Sequence, residues 1–163
     1  MAVTRYKNEE LMRRKRKWMG PVAASPKLKI FDNSTYNRID VSNMEETLFN
    51  TNGQAVSYIA YDDEETIYMW GGKPVAYLDG EDIYGFNGKH LGWFQDGILR
   101  DHDGNIVGFN KNAANVSLAF EPFKAFKQFK PFRAFKEFAP FKPFYHSSYS
   151  QHSLEAFLMR GAK

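Results

Sequence analysis

The residues best suited to acid–base chemistry form the run Asp101-His102-Asp103. A histidine can act as a general base when a neighbouring carboxylate orients its ring. In a strand, however, adjacent side chains point to opposite faces, so the two aspartates do not both reach His102 easily. Asp103-Gly104 is also a typical turn sequence. The run therefore favours a turn at the rim of a fold, and we assign no catalytic residues.

A metal site is the second chemistry that the residue types allow. It would require His90 and His102 to converge with carboxylates such as Asp79, Asp82 or Asp96. Solvent-facing turn residues are the simpler interpretation of these acids. The chain has no cysteine, which excludes disulfides, thiolate ligands and cysteine nucleophiles. We expect no metal and no cofactor, and a metal-dependent or His/Asp enzyme remains only the third function considered.

Two further motifs bear on phosphate binding. Gly71-Gly72-Lys73 is not a phosphate loop, because it lacks the upstream glycine and the Ser or Thr after the lysine. A five-residue basic run could grip the phosphates of nucleic acid or anionic lipid. It consists of Arg13, Arg14, Lys15, Arg16 and Lys17. The alternative function is therefore nucleic-acid binding through this N-terminal arm and the Phe/Lys tail, where aromatic rings could stack on bases.

Charge is segregated along the chain, although the net charge is only +3. Residues 1–20 carry seven basic and two acidic residues, and residues 48–112 carry four basic and ten acidic residues. Residues 113–163 are basic again, with eight basic and three acidic residues. The acidic middle is therefore flanked by two basic arms that could neutralise it.

The most regular feature is a stripe of phenylalanines at a constant spacing of three. An α-helix does not keep such a repeat on one face, whereas a polyproline II helix has three residues per turn. Each buried Phe contributes about 1.5–3 kcal/mol, so we expect the stripe to be buried. We favour packing on its own β domain or within a homo-oligomer, with the tail's Lys and Arg facing acidic residues. The stripe comprises Phe120, Phe123, Phe126, Phe129, Phe132, Phe135, Phe138, Phe141 and Phe144.

The middle of the chain is an internal repeat. Each unit has a turn pair, two further residues, and then an aliphatic, a small and an aromatic residue. This pattern predicts four hairpins with type I′ turns, and about eight short half-buried strands. Repeats of this kind must pack on one another, and closure around a pseudo-fourfold axis would remove exposed strand edges. The second turn glycines are Gly53, Gly72, Gly88 and Gly104, at steps of 19, 16 and 16 residues.

The repeats and the tail together resemble a known family. The string from Ile67 to Phe109 and the Phe-Lys-Pro tail that follows are similar to the bacterial 4-fold beta flower proteins. The similarity covers roughly residues 46–144, with a weaker echo in the last ten residues. It implies an all-β, pseudo-fourfold domain of short hairpins. It implies no activity, because the family has no established function.

The predicted organisation has six segments. They are a basic helical arm (1–20), a loop (21–45), the four-repeat β domain (46–112), a linker (113–119), an extended polyproline-II-like tail (120–144), and a polar segment with a short terminal helix (145–163). No run of 18 apolar residues and no leader pattern is visible, so we expect a cytoplasmic protein without a membrane span.

The function that this organisation favours is a non-enzymatic binding or structural module. It would assemble with itself or with another protein. Four small hairpins leave little room for a deep cleft, so the sequence does not favour a small-molecule ligand. Trp18, Trp70 and Trp93 are the aromatics that a small β core needs least, so they are the candidates for a functional surface.

Overall fold

The computed structural model describes residues 44–163. The predicted N-terminal helix and its basic run, Arg13 to Lys17, lie outside the described residues, as do Trp18 and most of the predicted 21–45 loop. No helix among residues 44–163 is long and apolar enough to cross a membrane.

Eight short strands form one closed antiparallel barrel in which each strand pairs with its neighbours in sequence. The last strand pairs with the first, so the sheet has no free edge. The strands are β1 (Glu45–Asn50), β2 (Ala55–Ala60), β3 (Thr66–Met69), β4 (Pro74–Asp79), β5 (Asp82–Gly85), β6 (His90–Gln95), β7 (Ile98–Arg100) and β8 (Ile106–Asn110).

The four hairpins β1–β2, β3–β4, β5–β6 and β7–β8 repeat one geometry. In each hairpin the register shifts once, just before the turn. The shifts follow Leu48, Ile67, Ile83 and Leu99, and their spacing of 19, 16 and 16 residues equals that of the turn glycines. The four hairpins therefore share this feature of backbone geometry.

The prediction of type I′ turns at these four glycines is wrong. In the first hairpin the Gly53 N–H donates to the Asn50 carbonyl, and only Gly53 has a positive φ, of 77°. The Asn50 N–H then donates to the Gln54 carbonyl. Compared with a two-residue turn, the loop contains one extra residue, Gly53. The result is a turn followed by a glycine bulge, which is the usual three-residue hairpin loop.

A turn with positive φ at both centres does occur at the other end of the barrel. Asp96 and Gly97, with φ of 52° and 78°, connect β6 to β7. They form the two-residue type I′ connection that favours Asp-Gly.

The barrel is filled by aliphatic side chains from every strand and is closed by a helix. Helix α1 (Leu154–Met159) is capped at its N-terminus by Ser153, whose Oγ accepts from the Ala156 N–H at 3.2 Å. Leu154, Phe157 and Leu158 are fully buried in the same apolar cluster as the strand residues. The helix therefore acts as a plug, which a small barrel needs in order to bury enough apolar surface.

Two of the repeat's small residues lie against both a neighbouring strand and this plug. A Cβ at Gly92 would lie 2.0 Å from the Arg100 carbonyl oxygen and 3.0 Å from the Phe157 ring. One at Gly108 would lie 2.7 Å from the Phe49 carbonyl oxygen and 2.9 Å from Leu154. Ser57 and Ala76, at the equivalent positions, are fully buried. In the last two repeats, the position of the small residue is therefore close to the terminal helix.

Candidate protein-binding surface

The Phe-striped segment passes around the outside of the barrel, and we call residues 119–146 the belt. It contains neither helix nor strand. Its backbone N–H groups donate to the carbonyls of the four turn glycines at 2.8–3.0 Å. The donors, which are nine residues apart, are Ala119, Gln128, Glu137 and His146. The belt therefore advances by nine residues from each hairpin to the next.

The turn glycines also allow the belt to approach closely. A Cβ at Gly72 would lie 2.0 Å from the Phe126 carbonyl oxygen, and one at Gly88 would lie 2.1 Å from that of Phe135. Such distances are far inside van der Waals contact, so a side chain here would displace the belt. Glycine is required at these positions by the belt as well as by the turn.

One edge of the belt is basic and lies against the acidic residues of the barrel. Lys124 and Lys127 both pair with Glu45, at 2.7 and 2.8 Å. Lys130 pairs with Asp62 at 3.0 Å and with Glu64 at 2.8 Å. The remaining pairs of this basic edge are Arg133 with Glu64, Lys136 with Asp79, and Lys142 with Glu81.

The same cations cover aromatic rings on the outer face of the barrel. The Arg133 guanidinium lies 3.7 Å from the centre of the Tyr77 ring, and the Lys124 ammonium lies 4.5 Å from that of Tyr58. Burial, with Glu45 adding to it, raises the pKa of Tyr58 to about 12. These cation–π contacts add to the ion pairs in holding the basic edge inward.

The pKa values of the belt's ionic partners are shifted in the directions that ion pairing produces. Burial acts to raise the pKa of Glu45, but hydrogen bonds from Lys124 and Lys127 outweigh it and lower that pKa. Burial opposes the shift at Asp62 as well, where Lys130 and backbone N–H groups lower the pKa. Hydrogen bonding to Asp79 raises the pKa of Lys136.

All nine phenylalanines of the stripe point outward. We call them the Phe edge, and their exposed fractions run from 90% at Phe120 to 102% at Phe135 and Phe141. The expectation that these rings pack on their own β domain is therefore wrong. The segment does wrap the domain, but through its basic edge and its backbone donors, because the outer face of the barrel offers carboxylates and aromatic rings. Whether the rings are covered by another molecule remains a prediction.

The three edges of the belt keep three separate environments over the whole segment. The Phe edge is exposed, the basic edge is ion-paired, and the N–H donors to the barrel all belong to the third edge. Three residues per turn produces this separation. The polyproline II conformation itself stays a prediction.

A family model for the 4-fold beta flower proteins matches residues 46–158. The matched region contains nearly all of the barrel, the whole belt and most of helix α1. The chain belongs to the 4-fold beta flower family. Searches of curated proteins and of solved structures returned no significant match.

In this beta flower protein the two candidate histidines do meet. The His90 ring is buried and stacks on His102, with His90 Nδ1 and His102 Nε2 2.9 Å apart. His90 Nε2 lies 3.1 Å from Asp82 Oδ1. Since a carboxylate only accepts, His90 Nε2 is the donor to Asp82, and the tautomer with its proton on Nε2 accepts at Nδ1. His102 is then the donor to His90 through its Nε2–H.

This chain of groups is tied to the belt rather than to a cleft. Glu137 of the belt accepts from the His90 backbone N–H at 2.6 Å. Burial lowers the pKa of His102, and the nearby His90 and Arg160 add to this shift. Among residues 44–163, no group of three or more His, Asp or Glu side chains is arranged to hold a metal ion. Asp82, His90 and His102 therefore join one hairpin to the next and to the belt.

The remaining sequence candidates have structural roles. Asp101 is buried, and its Oδ1 accepts from the N–H groups of Asp103 and Asn105 at 3.0 and 2.9 Å. It shapes the fourth turn and does not orient His102. Trp93 is 1% exposed and packs against His90, so it is not a surface platform. Trp70 is half-buried beneath Lys124 of the belt.

The outward direction of the Phe edge is the feature that sequence reasoning missed. Both the phenylalanine and the basic edges had the right period to face the barrel. The acids in the middle of the chain exceed the cations there, which predicted that the tail's cations face the barrel but left the direction of the phenylalanines open. Those acids need cations from elsewhere, and the tail supplies them.

Proposed function

We propose that this protein is a non-enzymatic protein-binding module whose contact surface is the Phe edge of the belt. The observation that carries the proposal is the exposure of nine consecutive stripe phenylalanines, each by at least 90%. Exposed apolar patches of this extent mark interaction sites in folded proteins.

The surface is large enough for a specific complex. A phenylalanine buries about 150–250 Å², so five or six rings supply the roughly 800 Å² per partner of a standard interface. Phenylalanine is also enriched in interface cores. Because the belt backbone is fixed to the barrel by hydrogen bonds and ion pairs, binding does not incur the entropy cost of ordering that segment.

The basic edge supports protein binding over the nucleic-acid alternative for the tail. Its cations Lys124, Lys127, Lys130, Arg133, Lys136 and Lys142 each pair with a carboxylate of the barrel. Phosphate binding would have to compete with those carboxylates. The Phe edge has no such competitor among the described residues.

Site-specific photo-crosslinking tests the proposal. Benzoylphenylalanine replaces Phe132 in the full chain, which is expressed in its native cells and irradiated. The matched control carries the same group at Asn112, an exposed residue outside the belt. We expect protein adducts from position 132 that are lost when Phe129 and Phe135 are changed to Ser. Adducts with lipid or nucleic acid, or equal protein adducts at both positions, would refute the proposal.

A further inference from the structure

The spacing of the Phe edge restricts what can cover it. If the belt has three residues per turn and a rise of 3.1 Å, successive rings lie about 9 Å apart. A ring placed midway between two of them would be about 4.7 Å from each along the belt. Aromatic pairs prefer centroid separations of about 4.5–7 Å. The gaps in this edge therefore have the size of one further aromatic ring.

We propose that the occupant is the Phe edge of a second copy of this chain, antiparallel to the first and interdigitated with it at half the spacing. The inference rests on the proposed function. A second copy presents rings at the same pitch, so every gap in one edge can receive a ring from the other. A two-fold axis makes such a contact self-complementary.

The absence of charge on this edge removes the usual cost of self-contact. Each of the nine positions from Phe120 to Phe144 at a spacing of three is phenylalanine. The neighbouring basic edge is paired with carboxylates of its own barrel, so two copies would not bring unpaired lysines of that edge together. Burying the rings therefore requires little desolvation of charge.

Curvature determines how many copies meet. The belt passes around a closed barrel, and its three nine-residue units, 120–128, 129–137 and 138–146, reach successive hairpins. The belt of a neighbouring copy is also convex, so two belts can touch only over a short length. We take that length to be the three rings of one unit. Each protomer then offers up to three contacts. The contact of the middle unit consists of Phe129, Phe132 and Phe135.

The area of one contact makes the assembly reversible. Three rings from each of two copies bury about 900–1,500 Å² in total, which is at or below the standard size for a stable complex. Several contacts per protomer would add through multivalency. We therefore expect assemblies that grow with concentration instead of a closed dimer.

Sedimentation of the full chain tests this inference. The wild type should exceed its monomer mass of 18.9 kDa in a concentration-dependent manner. Changing Phe129, Phe132 and Phe135 to Ser should weaken association at least about 10-fold, and changing all nine should leave only monomer. In the control, three exposed residues off the Phe edge, Asn112, Ala125 and Ala139, are each changed to Ser. This variant should associate as the wild type does.

Disulfide capture gives a second readout that does not depend on the serine variants folding. Because the natural chain has no cysteine, Phe132→Cys introduces a single thiol. Under mild oxidation it should form disulfide-linked pairs at least about 10-fold faster than Asn112→Cys, since interdigitation brings equivalent positions near bonding distance.

The outcomes separate the inference from the proposed function. A wild type that stays monomeric, while position 132 photo-crosslinks only to other proteins, overturns the second-copy inference and leaves the binding function intact. Assembly that persists in the nine-serine variant also overturns the inference. Failure of position 132 to photo-crosslink to any protein overturns both.

Discussion

The barrel and the belt of this protein are organised in opposite ways. The barrel has aliphatic side chains inside, where the helix α1 residues Leu154, Phe157 and Leu158 complete the core. The belt has its polar contacts inside and its phenylalanines outside. The barrel is therefore stabilised by apolar burial, whereas the belt is attached by hydrogen bonds and ion pairs. Apolar side chains in the two regions thus have different roles, one in folding and the other in recognition.

The largest effect is expected for a core residue of the plug. Phe157→Ala removes a fully buried ring that contacts the slot at Gly92. The free energy of unfolding should fall by about 3–5 kcal/mol because of lost burial and the remaining cavity. Chemical denaturation measures it. A change below 1 kcal/mol would contradict the role of α1 as part of the core.

An intermediate effect is expected where the belt crosses a turn. Gly72→Ala puts a methyl group 2.0 Å from the Phe126 carbonyl oxygen at a residue with φ of 81°. We expect a loss of about 1–3 kcal/mol in the free energy of unfolding, from the left-handed conformation and the displaced belt. Limited proteolysis should also cut the belt faster.

The neighbouring glycine provides a matched control for this substitution. A Cβ at Gly71 would meet nothing within 4 Å, and φ at Gly71 is not positive. Gly71→Ala should leave the proteolysis rate of the belt unchanged. Equal effects of the two substitutions would show that the belt does not lie on Gly72.

The smallest effect is expected from acidification. The pKa values of Glu45 and Asp62 are lowered in the folded protein from their ordinary 4.5 and 3.8. Their stabilising contribution is therefore complete above about pH 4.5 and is lost as the pH falls through the folded values. Each exposed pair contributes at most about 1 kcal/mol, so the belt should loosen before the barrel unfolds.

Proteolysis of the belt, followed together with the circular dichroism of the barrel between pH 7 and pH 3, checks this order. Glu45→Gln removes one of the titrating groups and should reduce the pH dependence of belt cleavage. Coincident loss of both signals at every pH would indicate that belt and barrel form one cooperative unit.

Much of the fold could be predicted because its signals are local. The turn glycines and the alternation after them gave four hairpins, and the structure has eight strands in a closed barrel. The turn type was wrong, because an Asn-Gly pair fits both a two-residue turn and a turn with a glycine bulge. The pairing of Asn50 with Gln54 and the positive φ at Gly53 alone distinguish them.

The candidate site was harder to predict from the sequence. The period of three identified the Phe edge, but the rule that apolar side chains are buried placed it on the wrong side. The positions of Glu45, Asp62, Glu64 and Asp79 along the path of the belt depend on barrel closure. Likewise, Asp82, His90 and His102 come together through the pairing of β5 with β6 and the next turn, so the sequence offered them only as separate candidates.

The sequence by itself determined the repeat, the glycine positions and the threefold period of the tail, because these depend on backbone preferences within a few residues. Tertiary structure decided which edge of the belt faces inward. That choice depends on whether burying phenylalanines or pairing lysines with carboxylates and aromatic rings lowers the free energy more. The barrel face that carries those carboxylates and rings exists only after the eight strands have closed. The direction of the Phe edge is therefore a property of the assembled barrel and not of the stripe.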